Sequence, residues 1–143
     1  MPPDTRAGDF AGCTANLESI ARFHLARPVR VVWRHAVPWL GLARRAEAGP
    51  VIELNADAPA GDLGHIFMHE LAHHVHGHVT MVTPAGYEAA DTDAILARLS
   101  PLEAAGVQAV IDQREAEADT WACAALASFE ARFGDFLTAI GGG

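Results

Sequence analysis

The chain has no lysine, only two cysteines and one tyrosine, and no apolar run near the roughly 18 to 20 residues that a membrane span needs. Cys13 and Cys123 share no CxxC spacing, which excludes a disulfide framework and a thiolate metal site; reduced thiols are expected. The start, Met1 to Arg6, lacks the apolar core of a signal peptide, so a cytoplasmic protein without membrane contact is expected. Basic charge is also scarce. Ten arginines face 18 acidic residues for a net charge of -8, a balance that repels phosphate backbones and makes direct nucleic-acid binding unexpected outside a local patch at Arg44 and Arg45. The all-arginine usage beside 29 alanines reads as genome composition rather than chemistry.

Half of the 143 residues are hydrophobic, and no repeat or composition break divides them. One domain over 1-143 is expected, with 1-10 and 141-143 flexible. A chain this long buries about 68 to 70% of its extended surface, so it needs no metal merely to hold a core. Any metal site therefore requires a functional argument.

Local patterns give the element order. Leu17, Ile20, Ala21 and Phe23 are spaced as in a helix over about 14-26, which Pro28 closes. Val29 to Trp33 is short and β-branched, and Val51 to Asn55 alternates apolar with polar. Pro38, Gly41 and Gly49-Pro50 punctuate the stretch between, giving two or three strands. Gly61-Asp62 opens a helix reaching about 77-79, with Asp62 suited to capping. A shorter helix follows over about 87-99. Ser100-Pro101-Leu102-Glu103 is a capping box with proline at the first helical position, and a long helix should run from it to about Phe133. The order implies an α+β fold, a small antiparallel or mixed sheet with helices packed on one face.

Six of the eight histidines lie between His65 and His78. Residues four apart on a helix are offset by about 40° and about 6 Å of rise, so such a pair can converge on one ion. His65 with His69, His69 with His73, and His74 with His78 all satisfy the spacing. Glu70 singles out one pair. His69-Glu70-Leu71-Ala72-His73 is the HExxH pattern, in which two neutral imidazoles hold Zn²⁺ and the adjacent carboxylate takes the proton of an attacking water. Phe67, Leu71 and Val75 point to the opposite side as a core stripe. By the same wheel His74 and His78 point away from the metal, while His65 and His76 stay on its side as competing ligands or substrate contacts. The bland alternatives are a chance match in a histidine-rich helix end and a histidine stripe for metal sensing or storage.

A catalytic zinc needs a third protein ligand and an open position. In the long helix, Glu115 falls in a seam otherwise made of Ile111, Ala118, Ala122, Ala125 and Phe129, where a lone carboxylate is costly unless coordinated. Glu117 lies about 200° around the helix from it and is expected in solvent, whereas Asp119 is about 40° away, placed to hold the second ring nitrogen of a ligand. Alanines 118 and 122 allow close approach of the two helices. An ordinary acidic helix face is the alternative.

These segments resemble the ImmA/IrrE family of metallopeptidases. His69-Glu70-Leu71-Ala72-His73 with Gly77-His78, then Glu115-x-x-Ala118-Asp119-x-x-Ala122, is similar to its HELxH...GH and E-x-E-A-(N/D/E)-x-F-A patterns over about half of the chain. Trp121 stands where the family has Phe, and 42 positions separate His73 from Glu115, a long gap that the 87-99 helix fills. The resemblance implies a minimal gluzincin fold, zinc held by His69, His73 and Glu115, Glu70 as base, Asp119 behind the ligands, and Val51 to Asn55 as an edge strand beside the cleft. On that basis Val51, Leu54 and Asn55 become substrate contacts, with Tyr87 and His76 as candidate oxyanion donors. It also implies endopeptidase action on a protein, commonly a helix-turn-helix repressor encoded nearby. The ArdC-like anti-restriction metallopeptidases share both motifs. The alternative function is a zinc-stabilised, non-catalytic or toxin-like protein that sequesters a regulator.

Overall fold

The computed structural model describes residues 5-78 and 97-141, with side chains from Cys13 onward. Helix α1 (Thr5–Leu25) is followed by strands β1 (Arg30–Arg34), β2 (Gly41–Ala46) and β3 (Gly49–Asn55), then helices α2 (Leu63–Val75), α3 (Pro101–Phe133) and α4 (Phe136–Gly141). The fold is α+β with a mixed three-stranded sheet ordered β1-β3-β2. β1 runs parallel to β3 and β2 antiparallel to it. Within the described residues no helix is long and apolar enough to cross a membrane. Cys13 is buried and Cys123 is exposed. The expected helix over 87-99 falls largely on residues outside those described.

Strand β3 corrects the sequence reading. Val51 to Asn55 is the central strand, hydrogen-bonded on both sides, and Val51 and Leu54 are 2% and 0% exposed. Its alternation reflects two buried faces rather than one wet edge. Ile52 and Leu54 enter the core with Leu17, Phe67 and Leu71. On the other face Glu53 is 4% exposed because two arginines clamp it, Arg34 at 2.7 Å and Arg44 from the opposite neighbour. Asn55 donates to the Trp39 carbonyl at 2.9 Å and so pins the β1-β2 loop. None of Val51, Leu54 or Asn55 is available at an edge. Among the described residues the edges are β1 and β2, and β1 is partly closed because its Val31 amide donates to Glu18 of α1 at 2.9 Å. β2 lies between the turn residues Pro38 and Gly49-Pro50, and half-burial along its whole length explains its weak signal.

Helix boundaries differ where local geometry overrides pattern. α1 begins at Thr5 rather than near Thr14. Asp62 occupies the cap position of α2 but makes no capping bond, since a 3-10 turn over Ala60–Asp62 runs into the helix and leaves it helical rather than extended. α2 stops at Val75. For α3 the capping box forms as expected, with Ser100 and Glu103 bonded reciprocally, and the helix runs over the whole expected span. The core stripe of α2, Phe67 and Leu71, is fully buried, with Val75 packed against it. Gly64 lets α2 approach its neighbours, because a Cβ there would lie 3.0 Å from Leu126 and 3.1 Å from Phe136.

Glu53 carries a stability test. Glu53→Ala leaves Arg44, 12% exposed, without its counter-charge beneath the sheet. Breaking a buried pair from one side costs roughly 3 to 5 kcal/mol, and the half-exposed Arg34 places the expected loss near the lower end. Urea unfolding measures it; a loss below about 1 kcal/mol would show the clamp to be an ordinary surface pair.

Candidate metal centre

Helix α2 lies against α3, and the residues that meet there are those with ligand chemistry. At the contact Ala118 and Ala122 of α3 and Ala72 of α2 are all 0% exposed, so the backbones approach closely and side chains one turn away reach across. His69 Nε2 is 2.6 Å from Glu115 Oε2, His73 Nε2 is 3.4 Å from Glu115 Oε1, and the two Nε2 atoms are 3.2 Å apart. One ligand atom from each of His69, His73 and Glu115 lies within 4.8 Å of the others, a group that could hold a metal ion. A second such group, His65, His69 and Asp119, shares His69.

The donor set suits a cation. Two imidazole nitrogens and a carboxylate oxygen all present lone pairs to one point, an arrangement that repels itself unless a positive charge occupies it. Without an ion, a proton does so. Hydrogen bonding to Glu115 pushes His69 up to about 9, against the opposing effect of burial and with further help from Glu70 and Asp119. The same bonds from His69 and His73 hold Glu115 far below the usual carboxylate range. His69 binds Asp119 through its other nitrogen, Nδ1 to Oδ1 at 2.7 Å, which is the carboxylate-histidine arrangement that orients metal ligands.

Glu70 has a different environment. It is 9% exposed, and burial pushes its carboxyl up to about 7 despite the histidines and the Ala43 amide that donates to it. It lies against β2, where Gly41 makes room; a Cβ at that position would be 2.8 Å from Glu70 Cγ and 3.0 Å from its Oε2.

The remaining histidines divide. His74 points away as expected, its Nε2 2.9 Å from the Val51 carbonyl, and burial lowers its pKa. His78 does not. The helix has ended, Gly77 takes φ +71°, and the His78 amide bonds back to the His73 carbonyl at 2.9 Å, so a helical wheel no longer describes its direction. Its Nδ1 is 2.9 Å from His73 Nδ1 and its Nε2 is 3.2 Å from Glu117 Oε1. Glu117, expected only in solvent, is thus half-exposed with one oxygen on His78. His65 Nε2 lies 3.3 Å from Asp119, while His76 is exposed and contacts His78 ring to ring at 5.4 Å. Tyr87 lies outside the described residues. Only a turn glycine directly before His78 hinted at its return.

No protein-family model, curated protein or solved structure matches the chain.

The site titrates with a definite sign. His69 is raised above its free value of 6.5, so in metal-free protein its stabilisation is complete below about pH 6.5 and is lost as pH rises through about 9. Glu115 is depressed, so its contribution is present above its free value of 4.5 and is lost in acid. A metal ion competes with the His69 proton and gains as that proton leaves. The melting temperature of chelated protein should therefore fall from pH 6.5 towards 8.5, while the difference between zinc-loaded and chelated protein widens. That difference should close near pH 5, and scanning calorimetry follows both. A difference independent of pH would exclude the histidines as its source.

Proposed function

We propose that the protein is a zinc-dependent endopeptidase of ImmA/IrrE-like character, acting on a protein substrate such as a helix-turn-helix repressor. The observation that carries this reading is Glu70: a buried carboxylate adjoining the His69, His73 and Glu115 group yet bonded to neither histidine, and aimed along the edge strand β2. A structural zinc gains nothing from such a group, whereas hydrolysis needs a base there. Two imidazoles and a carboxylate are a donor set that suits zinc.

When bound, zinc supplies Lewis acidity that lowers the pKa of water towards about 7 and polarises a carbonyl. The chain's own groups do the rest. His69, His73 and Glu115 would hold the ion, and Asp119, accepting from Nδ1 of His69, would leave its Nε2 lone pair for the ion. Glu70 accepts the proton of the attacking water and returns it to the leaving amine. The outer edge of β2, paired only with β3 among the described residues, offers backbone groups on which an extended peptide can add as a strand beside Glu70. Strand addition favours unfolded segments of many sequences, which suits a flexible linker in a regulator.

Two substitutions test the reading. Glu70→Gln should retain zinc by elemental analysis while hydrolysis of an unstructured peptide library, read by mass spectrometry, falls by at least about 100-fold. No cleavage by either form, with equal capture of a co-expressed regulator by both, would replace the peptidase with a sequestering protein. Gly41→Ala should displace Glu70 without touching a ligand, lowering turnover by up to about 100-fold at unchanged zinc content. Unchanged turnover would remove the β2 contact from the argument.

A further inference from the structure

His78 and Glu117 form a chain of contacts ending on His73, and hydrogen-bond directionality makes it selective. His73 can bind an ion through Nε2 only if that nitrogen carries a lone pair, which places its proton on Nδ1. The Nδ1 atoms of His73 and His78 are 2.9 Å apart, so one donates and the other accepts. The far nitrogen of His78, Nε2, lies 3.2 Å from Glu117 Oε1, and a carboxylate only accepts. Nε2 of His78 must then carry the proton, its Nδ1 the lone pair, and His73 must donate from Nδ1. The opposite order would aim a lone pair of His78 at a carboxylate and put a proton on His73 Nε2, where His69 and Glu115 converge. One further contact opposes this order in the ion-free protein, because His73 Nε2 lies 3.4 Å from the Glu115 carboxylate and would donate to it; with that nitrogen given to an ion, the His78 and Glu117 contacts leave a single assignment, the one that suits His73 as a ligand.

We propose that His78 and Glu117 are positioning residues that select the metal-binding tautomer of His73 through a two-step hydrogen-bond relay. The centre then has two outer supports of different length. Asp119 reaches His69 directly at 2.7 Å, and Glu117 reaches His73 through an intervening imidazole. Both carboxylates come from one stretch of α3, with Glu117 midway between Glu115 and Asp119. The relay depends on the left-handed Gly77, which turns the chain so that a histidine beyond the helix end returns to the last ligand. It rests on the zinc reading above.

Zinc affinity by chelator competition and histidine tautomers by long-range ¹⁵N-¹H spectra of the loaded protein test the relay without relying on activity. Glu117→Ala and His78→Ala should each weaken zinc binding by about 10 to 100-fold, with one zinc still taken up at saturation. The double variant should be no weaker than His78→Ala, because both act along one path. Glu117→Gln separates selection from packing: it preserves shape but offers a donor as well as an acceptor, so it should also lose affinity and show mixed protonation of His78. Wild-type spectra should place the protons on His73 Nδ1 and His78 Nε2. Affinities of Glu117→Ala and Glu117→Gln within twofold of wild type would overturn the relay while leaving the zinc site intact. Wild-type protein that takes up no zinc would overturn the site reading itself, and the relay with it.

Discussion

The close contact between α2 and α3 is the constraint on which the centre depends. The histidine-to-carboxylate contacts of the centre run across it: His65 and His69 to Asp119, His69 and His73 to Glu115, and His78 to Glu117. Short acidic side chains span such a gap only where the backbones are near. The buried alanines 72, 118 and 122 and Gly64 provide that approach, and a larger residue at any of them would separate the carboxylates from the histidines. The apolar contact therefore sets the polar geometry. It also places the site at the boundary between a buried stripe and solvent, where His69 and His73 are 16% and 12% exposed but Glu115 and Asp119 remain more than half exposed.

Sheet and helices cooperate from the other side. Glu70 faces neither α3 nor open water but the strand β2, where glycine at 41 and the amide of Ala43 accommodate it. β2 in turn is held in register by β3, and β3 by the Arg34-Glu53-Arg44 clamp beneath the sheet. The His69, His73 and Glu115 group thus rests on helix packing and Glu70 on strand pairing. Their meeting point is a single helix, α2, which carries His69, Glu70 and His73 within five residues.

Much of this was legible from local rules because local rules governed it. HExxH spacing fixes which residues of α2 share a side, the Ser100 capping box starts α3, and the period of the α3 seam selects Glu115 and Asp119. What was not legible depends on partners distant in sequence. The family resemblance implied an edge strand at Val51 to Asn55, and only the folded sheet shows it central, with two arginines burying Glu53. β2 has no pattern because it is half-buried throughout. His78 and Glu117 defeat a helical wheel for different reasons. One lies past the end of its helix, and the other is solvent-facing by angle yet within reach of a residue that the turn at Gly77 brings to it.

The two carboxylates nearest the histidines occupy opposite environments, and the proposed division of their roles rests on that contrast. Glu115 accepts from both imidazoles and is held ionised far below its ordinary range, which suits a permanent ligand and makes it useless as a proton acceptor near neutrality. Glu70 is buried with fewer donors, and burial outweighs the nearby imidazoles, so its carboxyl rises to about 7. A group poised there exchanges protons readily at neutral pH. Environments that push paired carboxylates apart in this way are the physical signature of a divided task, one residue holding charge and the other moving protons.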